Sequence, residues 1–149
     1  MTDRIDRIDL DIIEALRQNS RLSVRELAAK VHRSPTPVFE RLKRLEAEGI
    51  IEGYTVRLND EKLGLGFTVF CNVKLRSINT DSHSAFAAAV ASMSEVTECY
   101  NVSGSFDYML KVSVPDMPSY RKFVTDSLGC LPGVDSVQSV FVMATLKTH

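Results

Sequence analysis

The residues best suited to chemistry in this 149-residue chain are hydroxylated and cationic, and they stand close together. Arg33 precedes Ser34-Pro-Thr-Pro37, and Val38-Phe-Glu-Arg-Leu-Lys-Arg-Leu45 follows. Hydroxyls at a helix start and guanidinium or ammonium groups along its side are the groups that bind phosphates and base edges. If this segment is helical, Val38, Leu42 and Leu45 form its buried stripe. At about 100° per residue, Thr36, Glu40, Lys43 and Arg44 then point away from that stripe and Arg41 lies on its flank. Arg33, Ser34, Thr36, Glu40, Arg41, Lys43 and Arg44 are therefore the candidate contacts to double-stranded DNA.

The bland alternative is a solvated helix face, and local charge argues against it. Residues 17–44 hold eight Lys/Arg against two acids, a net of +6. Residues 3–14 hold five acids (Asp3, Asp6, Asp9, Asp11 and Glu14) against Arg4 and Arg7, a net of −3. That polarity concentrates positive potential where phosphates would lie, although the whole chain carries only −1.

Other chemistry is sparse. His32, His83 and His149 are scattered, and Cys71, Cys99 and Cys130 are widely spaced with no Cys-x-x-Cys pair. Neither a metal site, a cofactor nor a disulfide framework is indicated. No serine or cysteine stands in a nucleophile-elbow context, and no glycine-rich phosphate loop is present, so an enzyme is not expected. The charged opening Met-Thr-Asp-Arg-Ile-Asp-Arg is unlike a signal peptide, and no apolar run approaches the roughly 20 residues of a membrane span. The expectation is a soluble cytoplasmic protein.

The cationic side needs elements to hold it. Val24, Leu27, Ala28 and Val31 recur at i, i+3, i+4, i+7 and predict a helix, with Ala28 small enough to let a neighbour approach. A turn follows at His32-Arg33, then Ser34 as N-cap and Pro35 at the first helical position. The turn wants a left-handed residue, usually Gly; His tolerates that backbone better than most, at mild strain. Ile5, Ile8, Ile12, Ile13 and Leu16 supply a third apolar stripe. Ile50-Ile-Glu-Gly-Tyr-Thr-Val-Arg-Leu58 is β-branched and reads as a strand, a small wing. Residues 1–60 are thus expected to form a three-helix, winged-type helix-turn-helix domain.

Residues 61–149 follow a different pattern. Strands are predicted over 67–75, 96–102, 108–114 and 134–146, and helices over 82–93 and from Asp116 through Leu128. The order β-α-β-β-α-β is a ferredoxin-like split βαβ, making the chain α+β overall. Two helices cover one face of such a sheet. Val140-Phe-Val-Met-Ala144 is apolar without alternation, as in a strand buried on both sides, and Phe70 opposes the Val69/Cys71/Val73 row. The uncovered face is therefore expected to pair two copies into a homodimer, as helix-turn-helix proteins commonly require.

The order of these parts resembles the Lrp/AsnC (feast/famine) family of transcriptional regulators, most of all its leucine-responsive members. The matching blocks are Arg7-Ile-Asp-Leu-Asp-Ile-Ile13, Ser34-Pro-Thr-Pro37, Glu40-Arg-Leu-Lys-Arg-Leu-Glu46 and Gly49-Ile-Ile-Glu-Gly-Tyr-Thr55. Further on they are Glu98-Cys-Tyr-Asn-Val-Ser-Gly-Ser-Phe-Asp-Tyr-Met-Leu-Lys111, Val114-Pro-Asp-Met-Pro-Ser-Tyr-Arg-Lys122 and Leu131-Pro-Gly-Val134. His32 departs from the family's usual Gly. The resemblance implies a sequence-specific regulator whose C-terminal domain assembles dimers, commonly into octamers, and senses a small molecule, typically an amino acid such as leucine. It places the effector at the loop between the second and third strands of that domain, at Tyr100, Val102, Ser103, Gly104 and Asp107.

Amino-acid chemistry agrees with that loop. Backbone N–H groups around Gly104 can hold a carboxylate, Asp107 can pair with an ammonium, and Tyr100 can wall the side chain. Ser-Gly-Ser is also an ordinary hairpin turn, and Asp107 can equally be its cap. Two other functions remain open at this point: an effector-independent architectural protein, since wrapping DNA and regulating it use the same parts, and a small enzyme, since ferredoxin-like domains host enzymes too.

Overall fold

Asp6 and Asp9 start the first helix by a reciprocal capping box: the Asp9 N–H donates to Asp6 and the Asp6 N–H to Asp9, each at 3.0 Å. This helix, α1 (Arg7–Gln18), is followed by α2 (Val24–Lys30), opened by a Ser23/Glu26 box, and by α3 (Pro35–Ala47). The structure is a computed structural model describing residues 5–147; Asp3, Arg4 and His149 lie outside the described residues. Contacts divide the chain between Arg57 and Leu58 into two units.

In the N-terminal unit the three expected stripes meet. Ile12, Leu16, Leu27, Ala28, Val38 and Leu45 are buried together, with Ile8, Val31, Leu42 and Ile51 packed around them. His32 adopts φ +52°, the left-handed backbone the turn demands. Its N–H donates to Ala29 and the Arg33 N–H to Ala28, closing the end of α2. The predicted wing strand over 50–58 does not form. The Ile50 and Ile51 N–H groups both donate to the Leu45 carbonyl at the end of α3. Beyond them, residues 53–58 make no backbone hydrogen bond among the described residues, and Val56 and Leu58 are 75% and 61% exposed. β-Branched residues favour a strand only where a partner strand exists, and this unit offers none among its described residues.

The C-terminal unit carries β1 (Phe67–Leu75), α4 (Thr80–Ala91), β2 (Val96–Asn101), β3 (Tyr108–Val114), α5 (Met117–Phe123) and β4 (Val134–Phe141). The antiparallel sheet runs β2-β3-β1-β4, so β1 and β3 are central. Val69, Cys71 and Val73 register with Val112, Leu110 and Tyr108, and this row is buried with Phe86 and Val90 of α4 and with Tyr120, Phe123 and Leu128. α4 starts two residues before the expected Ser82, because the Asn79 side chain accepts from the Ser82 N–H and caps it.

Two further elements of this unit differ from the sequence expectation. The helix after Asp116 is α-helical only to Phe123 and continues as a π-helical turn, Val124–Leu128. The Gly129 N–H closes it on the Val124 carbonyl, and a Cβ at Gly129 would lie 2.7 Å from that oxygen. β4 ends at Phe141 rather than Leu146 and alternates instead of being buried on both sides. Val137, Ser139 and Phe141 pair with the helix-facing row of β1, where the Phe141 ring packs tilted against Phe67 and edge-on against Tyr120. Val140 pairs with Phe70 on the other face and is 48% exposed. That uncovered face mixes Phe70, Met109, Tyr100 and Val140 with Asn72, Gln138 and a Lys111–Glu98 ion pair of 2.9 Å.

Candidate nucleic-acid interface and effector loop

Ser34 stands in extended backbone before α3, yet its side chain makes no capping bond, so the hydroxyl is uncommitted. Pro35 and Pro37 set the first turn without needing N–H partners. Thr36, Glu40 and Lys43 follow at i, i+4, i+7 and are all exposed. The Lys43 ammonium sits 5.0 Å above the Phe39 ring. Arg33 is exposed and folds back to its neighbour, donating to the His32 carbonyl at 2.9 Å. Together Arg33, Ser34, Thr36, Glu40 and Lys43 make one outward row on the start and side of α3.

The remaining two residues of the candidate set lie elsewhere. Arg41 donates to Asp9 Oδ1 at 2.8 Å and pairs with Asp6 at 2.6 Å, while Arg44 Nη2 donates to Asp9 Oδ2. Asp9 is fully buried. Arg44 therefore turns toward α1, not outward as its helical position suggested. A buried carboxylate draws cations to itself, because leaving it unpaired costs several kcal/mol on the order of 3–5. Burial pushes the Asp9 carboxyl up, but hydrogen bonds from Arg41, the Asp6 N–H and Arg44 outweigh it and hold its pKa below the ordinary value. The same bonds, from Asp9 first and then Asp6, raise the Arg41 pKa. Two cations of the basic stretch are thus neutralised by the acidic one, and the two charge poles are in part a single network.

In the C-terminal unit the β2–β3 loop is closed by the Val102 N–H donating to the Asp107 carbonyl at 2.9 Å, with the Asn101 side-chain amide donating to the same oxygen. Gly104 takes φ +130°, open to a glycine and strained for any other residue. The N–H groups of Ser103, Gly104 and Ser105 have no hydrogen-bond partner among the described residues. Tyr100 is half exposed, its hydroxyl donating to Glu98. Asp107 itself is buried: Oδ2 accepts from the Leu75 N–H at 2.8 Å and Oδ1 from Lys74 Nζ at 3.1 Å. The Leu75 N–H holds its pKa below the ordinary value against the opposing effect of burial, with Lys74 adding to the depression. It clamps the loop to β1 with both oxygens engaged.

Sequence reasoning missed Asp9, Lys74 and the hydrogen bond between His83 Nδ1 and the Tyr108 hydroxyl at 2.6 Å. For Asp9 a signal existed: it falls between Ile5, Ile12 and Leu16 on the apolar stripe, where an acid must have partners. Among the described residues no three His, Cys, Asp or Glu stand together as metal ligands, and no helix is long and apolar enough to cross a membrane.

Comparison with known proteins adds to this geometry. Residues 5–52 match the family model described as winged helix-turn-helix DNA-binding, and residues 68–149 match that of the Lrp/AsnC ligand binding domain. The chain is 43% identical over 143 residues to the leucine-responsive regulatory protein of Salmonella typhimurium, covering 96% of this chain and 87% of that one. The same figures hold for the Escherichia coli K12 protein of that name. Among solved structures, a transcriptional regulator of Neisseria meningitidis in complex with L-Met superposes with TM-score 0.92 at 37% identity, covering 97% of this chain and 93% of that one. An AsnC family transcriptional regulator of Agrobacterium tumefaciens gives TM-score 0.91 at 33% identity, with 97% and 94% covered.

Proposed function

Because this chain belongs to the Lrp/AsnC family and is a DNA-binding transcriptional regulator with a ligand-binding domain, not an enzyme, we propose that it reads DNA through α3 and answers to an amino acid. α3 enters the major groove of double-stranded DNA. Ser34 and Arg33 meet phosphate at its start, Thr36 and Glu40 face base edges, and Lys43 meets the backbone. The observation that carries this reading is the outward row of Thr36, Glu40 and Lys43 beside an uncommitted Ser34 hydroxyl.

The effector is an L-amino acid with an apolar side chain, leucine or methionine being the examples its relatives suggest. Its carboxylate rests on the free N–H groups of Ser103, Gly104 and Ser105, and Tyr100 and Val102 wall its side chain. Its ammonium reaches Asp107 only by displacing Lys74. Two copies join through the uncovered sheet face, and dimers gather into octamers, in the cytoplasm where the DNA is.

Duplexes selected from a random library by the native protein test the DNA reading. Lys43→Ala should weaken binding to every sequence alike and reduce the salt slope by about one. Unchanged affinity and slope would remove α3 from the groove. Thermal shift against the twenty amino acids tests the effector, since saturation at a hundred times the dissociation constant stabilises by about 2.7 kcal/mol. A flat panel would leave an architectural DNA-wrapping protein.

A further inference from the structure

The clamp on α3 goes beyond contact with DNA. Asp9 belongs to α1, yet its carboxylate gathers both arginines of the inner side of α3 while also completing the cap of its own helix. We infer that Asp9 is a positioning residue for DNA reading: it holds Arg41 and Arg44 against α1, withdraws two cations from the phosphates, and leaves the outward row to discriminate bases. The inference rests on the assignment of α3 to the groove.

Three observations carry it. Asp9 is fully buried, and beyond the Asp6 N–H these two guanidiniums are the partners that compensate its charge. The arginine side chains remain 27% and 39% exposed, so once released their heads reach solvent without unfolding the core. Asp6 adds a second hold on Arg41 from a half-exposed position, a weaker one because water screens it. Non-specific affinity comes almost wholly from phosphate neutralisation, with about 0.9 in the logarithmic salt slope per phosphate neutralised. Two arginines free to reach phosphates would raise binding to any sequence and erode the ratio between the right site and the wrong one. Keeping them occupied favours selectivity over grip.

Asp9→Asn in the full chain tests this, because it keeps the side chain's size and one acceptor but removes the charge. Binding is measured to a selected duplex and to a random-sequence duplex across a salt series, beside a melting curve. The expected result is tighter binding to the random duplex at low salt and a slope steeper by about one to two per protomer bound. The preference for the selected duplex should fall several-fold, and adding Arg44→Ala should return about half of the extra slope. A structural part alone predicts the opposite sign, weaker binding with the slope unchanged or shallower, and that outcome overturns the inference. Should Asp9→Asn fail to fold, Arg41→Ala and Arg44→Ala in the native chain take its place, because arginines withdrawn from the phosphates leave the salt slope where it was. A slope shallower by about one for either variant overturns the inference equally. Native protein that binds neither duplex would sink the DNA reading itself, whereas native binding with an unmoved Asp9→Asn slope would sink only the clamp.

Discussion

Asp107 shows how far a residue's type speaks and where its surroundings take over. Its place beside Ser-Gly-Ser marked it as a ligand or a turn cap, and both readings concern the loop. Its actual partners, Lys74 and the Leu75 N–H, lie on β1, 32 residues or more away in sequence. No local pattern announces a contact across that distance. Its carboxyl is held below the usual range, so it contributes stability above an unfolded pKa of about 3.9, and that contribution is lost as pH falls through the lowered folded value. Asp107→Asn should cost about 1–3 kcal/mol at pH 7, read as a lower melting temperature in calorimetry. The gap to the native protein should close below about pH 4. Isothermal titration on the same variant separates clamp from ligand: an effector loss of tenfold or more, equivalent to about 1.4 kcal/mol, would make Asp107 a direct contact.

At the scale of elements, periodicity succeeded where burial is one-sided and failed where an element needs something beyond itself. β1 and β3 were legible to the residue, because β1 and the first half of β3 alternate between a helix-covered face and an open one. The wing over 50–58 was not, since β-branched composition cannot supply a missing partner strand. The π-helical turn also left no trace in the apolar pattern; its cause is the backbone closure of Gly129 on Val124. The strain at His32 was legible, because a helix-turn-helix needs a left-handed residue there and φ is +52°. A left-handed non-glycine residue costs about 1–2 kcal/mol, against about 0.5–1 for the greater entropy glycine loses. His32→Gly should therefore raise the melting temperature by a few degrees, on the order of 0.5–1 kcal/mol. His32→Val, β-branched at the same backbone, should lower it. If both variants melted with the native protein, the turn would not be strained.

For the whole molecule the sequence pointed to an adhesive sheet face but read Val140–Ala144 as buried on both sides, where β4 instead alternates. The alternation of the strand sends Phe141 to the helices and Val140 outward. Val140→Asp should leave the circular dichroism spectrum intact and give a smaller species in light scattering, because an unpaired charge is costly in an apolar interface. Phe141→Asp, cut from its ring contacts with Phe67 and Tyr120, should instead lower stability. An unchanged mass for Val140→Asp would remove this face as the proposed contact between copies. The division at Arg57 also has an optical side. The chain has no tryptophan and four tyrosines, of which Tyr54 alone belongs to the N-terminal unit. Its hydroxyl donates to Glu46 at 2.7 Å, and burial first, then that carboxylate, pushes its pKa up to about 12. The tyrosine absorption band of the DNA-binding half thus comes from one ring, and Tyr54→Phe would leave absorbance in that band watching the sensing half.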